Sequence, residues 1–306
     1  MKLVPDAFHP GYWGPLLSAH MPRTVYLPVS ESFISALQRD SLNVADAERL
    51  QSDFSELIQG LSHAMDYLRT DHCTSEGFCP KLNGKLPYDA AWILGRHAPC
   101  CYTWNEAMMV LRASSRIHEP TRTSWQGSFC LVVQRWEQIH PANEFRCFIS
   151  SCRVIAICQR HPDTPYPFLA RERDRLVNAM VSFYETHVRP LHPAYAECIL
   201  DCYLDDSQSV RTLGIDAWSD DALLLFEVSE MEALRAQAAA AFPGQHSDPD
   251  GHRQSEAPGE DATGATVSFR SVAQGFAAVP WGWSEKLPLE LGDDFLRARI
   301  QRNASD

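Results

Sequence analysis

Two β-rich runs, residues 145–150 and 153–160, stand only two residues apart, and that spacing constrains the chain more than any other feature. A two-residue connection closes an antiparallel hairpin, whereas a parallel crossover needs a dozen residues or more. The runs therefore predict a hairpin turning around Ser151. Alternation along Glu144-Phe145-Arg146-Cys147-Phe148 puts Glu144, Arg146 and Phe148 on one face, and Phe145 and Cys147 on the other. Further β-rich runs lie at 129–136, 199–204 and 210–217, the last two separated by the polar turn Asp205-Asp206-Ser207-Gln208-Ser209.

Helical periodicity flanks these strands. Across residues 44–68, Leu50, Phe54, Leu57, Ile58, Leu61, Met65 and Leu68 recur at the three-and-four spacing of one helix face. A second helix carries Leu176, Ala179, Met180, Phe183, Tyr184 and His187 and ends before Pro190, and a third surrounds residues 231–240 after the apolar run 223–228. Thr24-Val25-Tyr26-Leu27-Pro28 reads as a short strand. Residues 242–266 hold no bulky apolar side chain after Phe242 and are dense in Pro, Gly, Ser and Asp, so the sequence predicts a disordered insertion there. Beyond it, Phe269, Phe276, Trp281, Trp283 and Phe295 restore apolar character. The order of elements points to an α+β fold.

Charge and cysteine usage narrow the function. The net charge of −12, from 27 Lys+Arg against 39 Asp+Glu, repels phosphate backbones and disfavours a general nucleic-acid binder. A protein partner with a basic face suits it better. Pro5, Asp6 and His9 interrupt the apolar core a signal peptide would need, and no apolar run reaches the roughly 20 residues of a bilayer span. A cytoplasmic protein is expected. The ten cysteines form no C-x-x-C and the twelve histidines no H-E-x-x-H, so buried free thiols are expected and no zinc site.

Three places can carry chemistry. Pro80-Lys81-Leu82-Asn83, followed by Pro87-Tyr88-Asp89-Ala90-Ala91-Trp92-Ile93, reads as a rigid Pro-bounded loop presenting one ammonium to phosphate oxygens, or as an ordinary exposed lysine. Arg146 and Arg160, with Glu144, suit a polyphosphate at a cleft edge, or form cross-strand ion pairs. Asp201 and Asp216 are embedded in apolar strands, where a carboxylate needs compensation. They hold Mg²⁺ on a nucleotide, or cap turns at strand ends.

Taken in order, the stretches 80–93, 131–136, 144–148, 157–161, 201–203, 215–219 and 224–226 resemble the cell division cycle protein 123 family. Trp13 and Leu27-Pro28 near the start, and Leu287-Pro288 and Asp294-Phe295 near the end, extend the resemblance over nearly the whole chain. It implies an ATP-grasp-like fold with antiparallel sheets flanked by helices. On that reading residues 1–241 form two packed lobes, about 1–128 and 129–241, with residues 267–306 packing back behind the insertion. It implies ATP and Mg²⁺ as ligands, with Lys81, Asn83, Asp89, Gln134, Arg135, Trp136, Glu144, Arg146 and Arg160 around the nucleotide and Asp201 and Asp216 on the metal. The function implied is assembly of the heterotrimeric eukaryotic translation initiation factor 2, by a monomer docking on the C-terminal part of the gamma subunit. Departures fall in the pocket. Tyr88, Ala113, Gln134, His161 and Trp218 stand where the family pattern carries Arg, Lys, Arg, Asp and Asn, and Ser219 where it carries Pro. Two other functions compete: an interaction protein that has lost nucleotide binding, and an ATP-dependent carboxylate–amine ligase.

Overall fold

The computed structural model describes residues 7–38, 51–69, 77–122, 129–219, 222–241 and 267–272. The expected insertion at 242–266, the start of the helix at 44–50 and the aromatic positions beyond 272 lie outside the described residues. Two sheets form the frame. The first joins β1 (Thr24–Val29), β2 (Phe78–Leu82) and β3 (Phe129–Arg135) in the order β1-β3-β2, both pairs antiparallel. The second joins β4 (Glu144–Ser150), β5 (Arg153–Gln159), β6 (Cys198–Leu204), β7 (Val210–Asp216) and β8 (Ser268–Arg270) in the order β7-β6-β4-β5-β8. Only the short β8 runs parallel to its neighbour, β5. The α+β expectation is met, with antiparallel sheets and flanking helices.

Two expectations shift. Residues 129–135 were expected to open the second lobe, but β3 is the central strand of the first sheet, so the division between the sheets falls after Arg135. The proline-bounded segment around Lys81 is a strand, not a loop. Its Pro80 is tolerated because β2 is an edge strand, where a missing N–H costs no ladder bond on the open side.

After two short helices, α1 (Pro10–Leu16) and α2 (Glu31–Leu37), longer ones cover the sheet faces. Leu131 and Val133 of β3 pack with Leu61, Met65 and Leu68 of α3 (Ser55–Leu68), and with Leu111 of α4 (Trp104–Ala113). On the second sheet, Phe145, Cys147 and Leu200 join Leu176 and Met180 of α6 (Arg173–Phe183), which runs on through a π-helical turn, Tyr184–Val188. The opposite face is divided. At one end Phe148 and Ile199 pack under Met231 of α7 (Val228–Ala241), and at the other end the same face turns polar, with Arg146 and Asp201. That polar end is what the fold places opposite Lys81.

The predicted hairpin is present, with Ser151 and Cys152 both at positive φ, 52° and 60°. The connection is anchored by Glu197, whose Oε1 accepts from Ser150 Oγ at 2.9 Å and Ser151 N at 2.6 Å. The described cysteines are free, and eight of the nine are buried. No described helix is long and apolar enough to cross a membrane.

Candidate functional site

Arg146 lies directly across from Asp201 in the β4–β6 ladder, so their side chains share a face. The guanidinium donates Nε to Oδ1 at 2.7 Å and Nη2 to Oδ2 at 2.8 Å, and its Nη1 reaches the Ala222 carbonyl at 2.8 Å. Arg160, one residue past β5, adds a third contact, Nε to Asp201 Oδ2 at 3.2 Å, and donates Nη1 to Glu144 Oε2 at 2.8 Å. His161 Nε2 stands 3.2 Å from the other Glu144 oxygen. Burial alone would raise the Asp201 pKa, but Arg146 and Arg160 outweigh it and hold the carboxyl well below the usual range. Glu144 is held low in the same way, with burial outweighed by His161 and Arg160.

The first sheet supplies the opposite wall. Lys81 is buried, and among the described residues its ammonium meets one hydrogen-bond acceptor, the Leu213 carbonyl at 3.4 Å. No described carboxylate comes within ion-pair distance of it, and burial pushes its pKa down. An uncompensated buried ammonium is costly, so this group is set up to receive an anion. Lys85 lies near it. Asn83 and Gly84, at φ 48° and 82°, make the tight turn that Asn-Gly favours, closed by hydrogen bonds between Leu82 and Lys85. The chain doubles back, and Lys85 Nζ sits 3.1 Å from Asp216 Oδ1. Sequence reasoning passed over Lys85, although the Asn-Gly dipeptide signalled that the chain returns there.

The family model D123 matches residues 53–293, more than half of the chain. The chain belongs to the D123 family. Over 217 residues it is 28% identical to cell division cycle protein 123 of Yarrowia lipolytica, covering 63% of this chain and 58% of that protein. Over 279 residues it is 24% identical to a zebrafish (Danio rerio) protein named translation initiation factor eIF2 assembly protein, covering 76% and 78%. The alignments thus span about three fifths to four fifths of these relatives' own lengths. The structure of C-terminally truncated Cdc123 from Schizosaccharomyces pombe superposes with a TM-score of 0.63 at 25% identity, covering 74% of this chain and 90% of that one.

This D123 chain gathers some of the expected site residues and disperses others. Lys81, Glu144, Arg146, Arg160, Asp201 and Asp216 converge between the two sheets. Asp89 does not join them: its carboxylate accepts from Ser114 Oγ, Ser115 N, Ser115 Oγ and Arg116 N, and so caps the helix α5 (Ser115–Arg122). Asn83 is engaged in the turn, its Oδ1 accepting from Cys130 N at 2.8 Å. Gln134 is buried with its amide donating to Thr24 Oγ1 at 3.1 Å. Arg135 alternates with Gln134 and shares the β3 face of Leu131 and Val133, toward the helices. Trp136 is tied to the first sheet by its N–H, 2.8 Å from the Gly77 carbonyl.

The donor set suits the two expected ligands unequally. Phosphate oxygens fit, because Lys81 is buried with no described carboxylate at ion-pair distance, and Lys85, Arg146 and Arg160 line the cleft with it, paired to its carboxylates. Mg²⁺ fits poorly. It asks for free carboxylate oxygens, yet each Asp201 oxygen accepts from Arg146 with Arg160 at ion-pair distance, and Asp216 is paired with Lys85. Trp218, where the resemblance would place an amide, turns away: its Nε1 donates to the Ile149 carbonyl at 2.7 Å.

Proposed function

We propose that this chain assists assembly of the heterotrimeric eukaryotic translation initiation factor 2, docking on the C-terminal part of its gamma subunit, with a nucleotide held in the cleft between the sheets. Membership of the D123 family supports the assembly role, as does the name carried by the zebrafish relative. The net charge of −12 favours a partner with a basic face. The observation that carries the nucleotide is Lys81, an ammonium buried between two sheets with one backbone acceptor among the described residues. An ATP-grasp-like nucleotide pocket explains why such a group persists there.

The test is co-elution of the full chain with the gamma subunit's C-terminal region in size-exclusion chromatography at micromolar concentration. A one-to-one complex is expected, and separate elution at those concentrations defeats the assembly role. A second reading, an interaction protein that no longer holds a nucleotide, is favoured by Gln134, a neutral amide already bonded to Thr24 on the Lys81 face, and by Trp218, whose indole is held by Ile149. Calorimetric titration with ATP separates the two.

A further inference from the structure

Asp201 is one of the most constrained carboxylates among the described residues. A carboxylate offers about four lone-pair directions. Arg146 takes one on each oxygen, and the Arg160 guanidinium stands at ion-pair distance from Oδ2, 3.2 Å away. For Asp201 to ligate a cation through both oxygens, the Arg146 grip would have to open, leaving that largely buried guanidinium, among the described residues, with the Ala222 carbonyl. Asp216 offers an oxygen at the rim, but beside the Lys85 ammonium. The Trp218 indole is held out of the cleft by the Ile149 carbonyl and by Arg235, whose guanidinium carbon lies 4.7 Å from the ring centroid.

Charge points the same way. Among the described residues, Lys81, Lys85, Arg146 and Arg160 face Glu144, Asp201 and Asp216, four cations to three carboxylates. A small dication entering this field meets like charge at close range, and a polyphosphate meets its complement.

From this we infer that the cleft takes the polyphosphate of a nucleotide as a free anion, with no divalent cation required, and that Asp201 positions Arg146 and Arg160 instead of holding a metal. The inference rests on the nucleotide reading above. Lys81 is the inner phosphate contact and Lys85 the outer one, released from Asp216 when the anion arrives.

Calorimetric titration of the full chain with ATP, in excess EDTA and in excess Mg²⁺, tests this, alongside Lys81→Met and Asp216→Asn. The expected result is affinity in EDTA within about threefold of that in Mg²⁺. Lys81→Met should weaken binding at least about tenfold, the scale of one lost hydrogen bond to a charged group. Asp216→Asn should bind ATP as tightly or more so, because it frees Lys85, whereas a metal-ligand role predicts a loss. Circular dichroism confirms that each variant is folded. Binding that needs Mg²⁺ and is lost in Asp216→Asn overturns the inference while leaving the nucleotide reading in place. No binding under either condition removes both.

Discussion

Arg146 and Asp201 stand opposite each other on β4 and β6, and the guanidinium closes on the carboxylate through two bonds of 2.7 and 2.8 Å. Both side chains are largely buried, so neither can turn to water if its partner is removed. Breaking a buried pair from one side typically costs about 3–5 kcal/mol, mostly the penalty of the stranded charge. Arg146→Met should therefore lower the unfolding free energy by about that amount in urea denaturation. Adding Asp201→Leu should recover part of it, because the buried carboxylate, left with Arg160 alone among the described residues, is then gone. A single-variant loss under about 1 kcal/mol would mean the pair is solvated, contrary to the structure.

Acid should dissolve the same cluster. Asp201 and Glu144 both have folded pKa values below their unfolded ones, because Arg146, Arg160 and His161 outweigh the cost of burial. A depressed carboxyl contributes its full stability above the unfolded value, near pH 4, and loses it as pH falls through the lower folded value. The urea midpoint of the wild type should hold between about pH 6 and 5 and drop steeply below about pH 4. In Asp201→Asn the drop should be shallower, since one of the two linked protons is absent. Parallel curves for the two proteins would remove Asp201 from the linkage.

Much of the second sheet was readable from residue order, and the reason is local. The hairpin at 145–160 follows from a two-residue connection, and alternation alone assigned Glu144, Arg146 and Phe148 to one face. Sheet membership was not local. A period of two marks 129–136 as a strand without saying that Val132 pairs with both Tyr26 and Lys81. β2 was hidden by Pro80, which argues against a strand unless the strand is known to be an edge. Asp89 enters the ligand set through the resemblance; its true partners, Ser114 and Ser115, lie 25 and 26 residues away, and a carboxylate that caps a distant helix has no signature in its own segment.

The β4–β5 connection should accept improvement. Ser151 and Cys152 occupy left-handed conformations that cost residues with a Cβ about 1–2 kcal/mol each, and Asn-Gly adopts them far more readily. The anchoring bond from Ser151 N to Glu197 uses backbone, so it survives substitution. Ser151→Asn with Cys152→Gly should raise stability by about 1 kcal/mol, part of the gain being lost to the added chain entropy of glycine. A rise in the urea midpoint at unchanged m-value verifies it, and a fall would mean that the two side chains contribute more than the strain.

Trp218 offers the sharpest separation between what the family resemblance suggests and what this fold does with the residue. The resemblance would have Trp218→Asn restore a metal ligand and tighten Mg²⁺-dependent binding. In the structure the indole donates to Ile149, packs 5.7 Å from the Phe148 ring and lies under Arg235, so it seals the apolar end of the second sheet beneath α7. Replacing a fully buried Trp by a small residue costs about 3–5 kcal/mol, and this ring is only half-buried, so about 2 kcal/mol is expected for Trp218→Asn. Urea denaturation reads the loss, and titration with ATP in Mg²⁺ and in EDTA reads the ligand. The variant should be less stable and show no new Mg²⁺ dependence, because the packing that turns position 218 toward Ile149 does not deliver an asparagine amide to the cleft. Tighter binding only in Mg²⁺, with stability unchanged, would show that the backbone at 218 can present a ligand after all, and would return Asp216 to a metal-binding role.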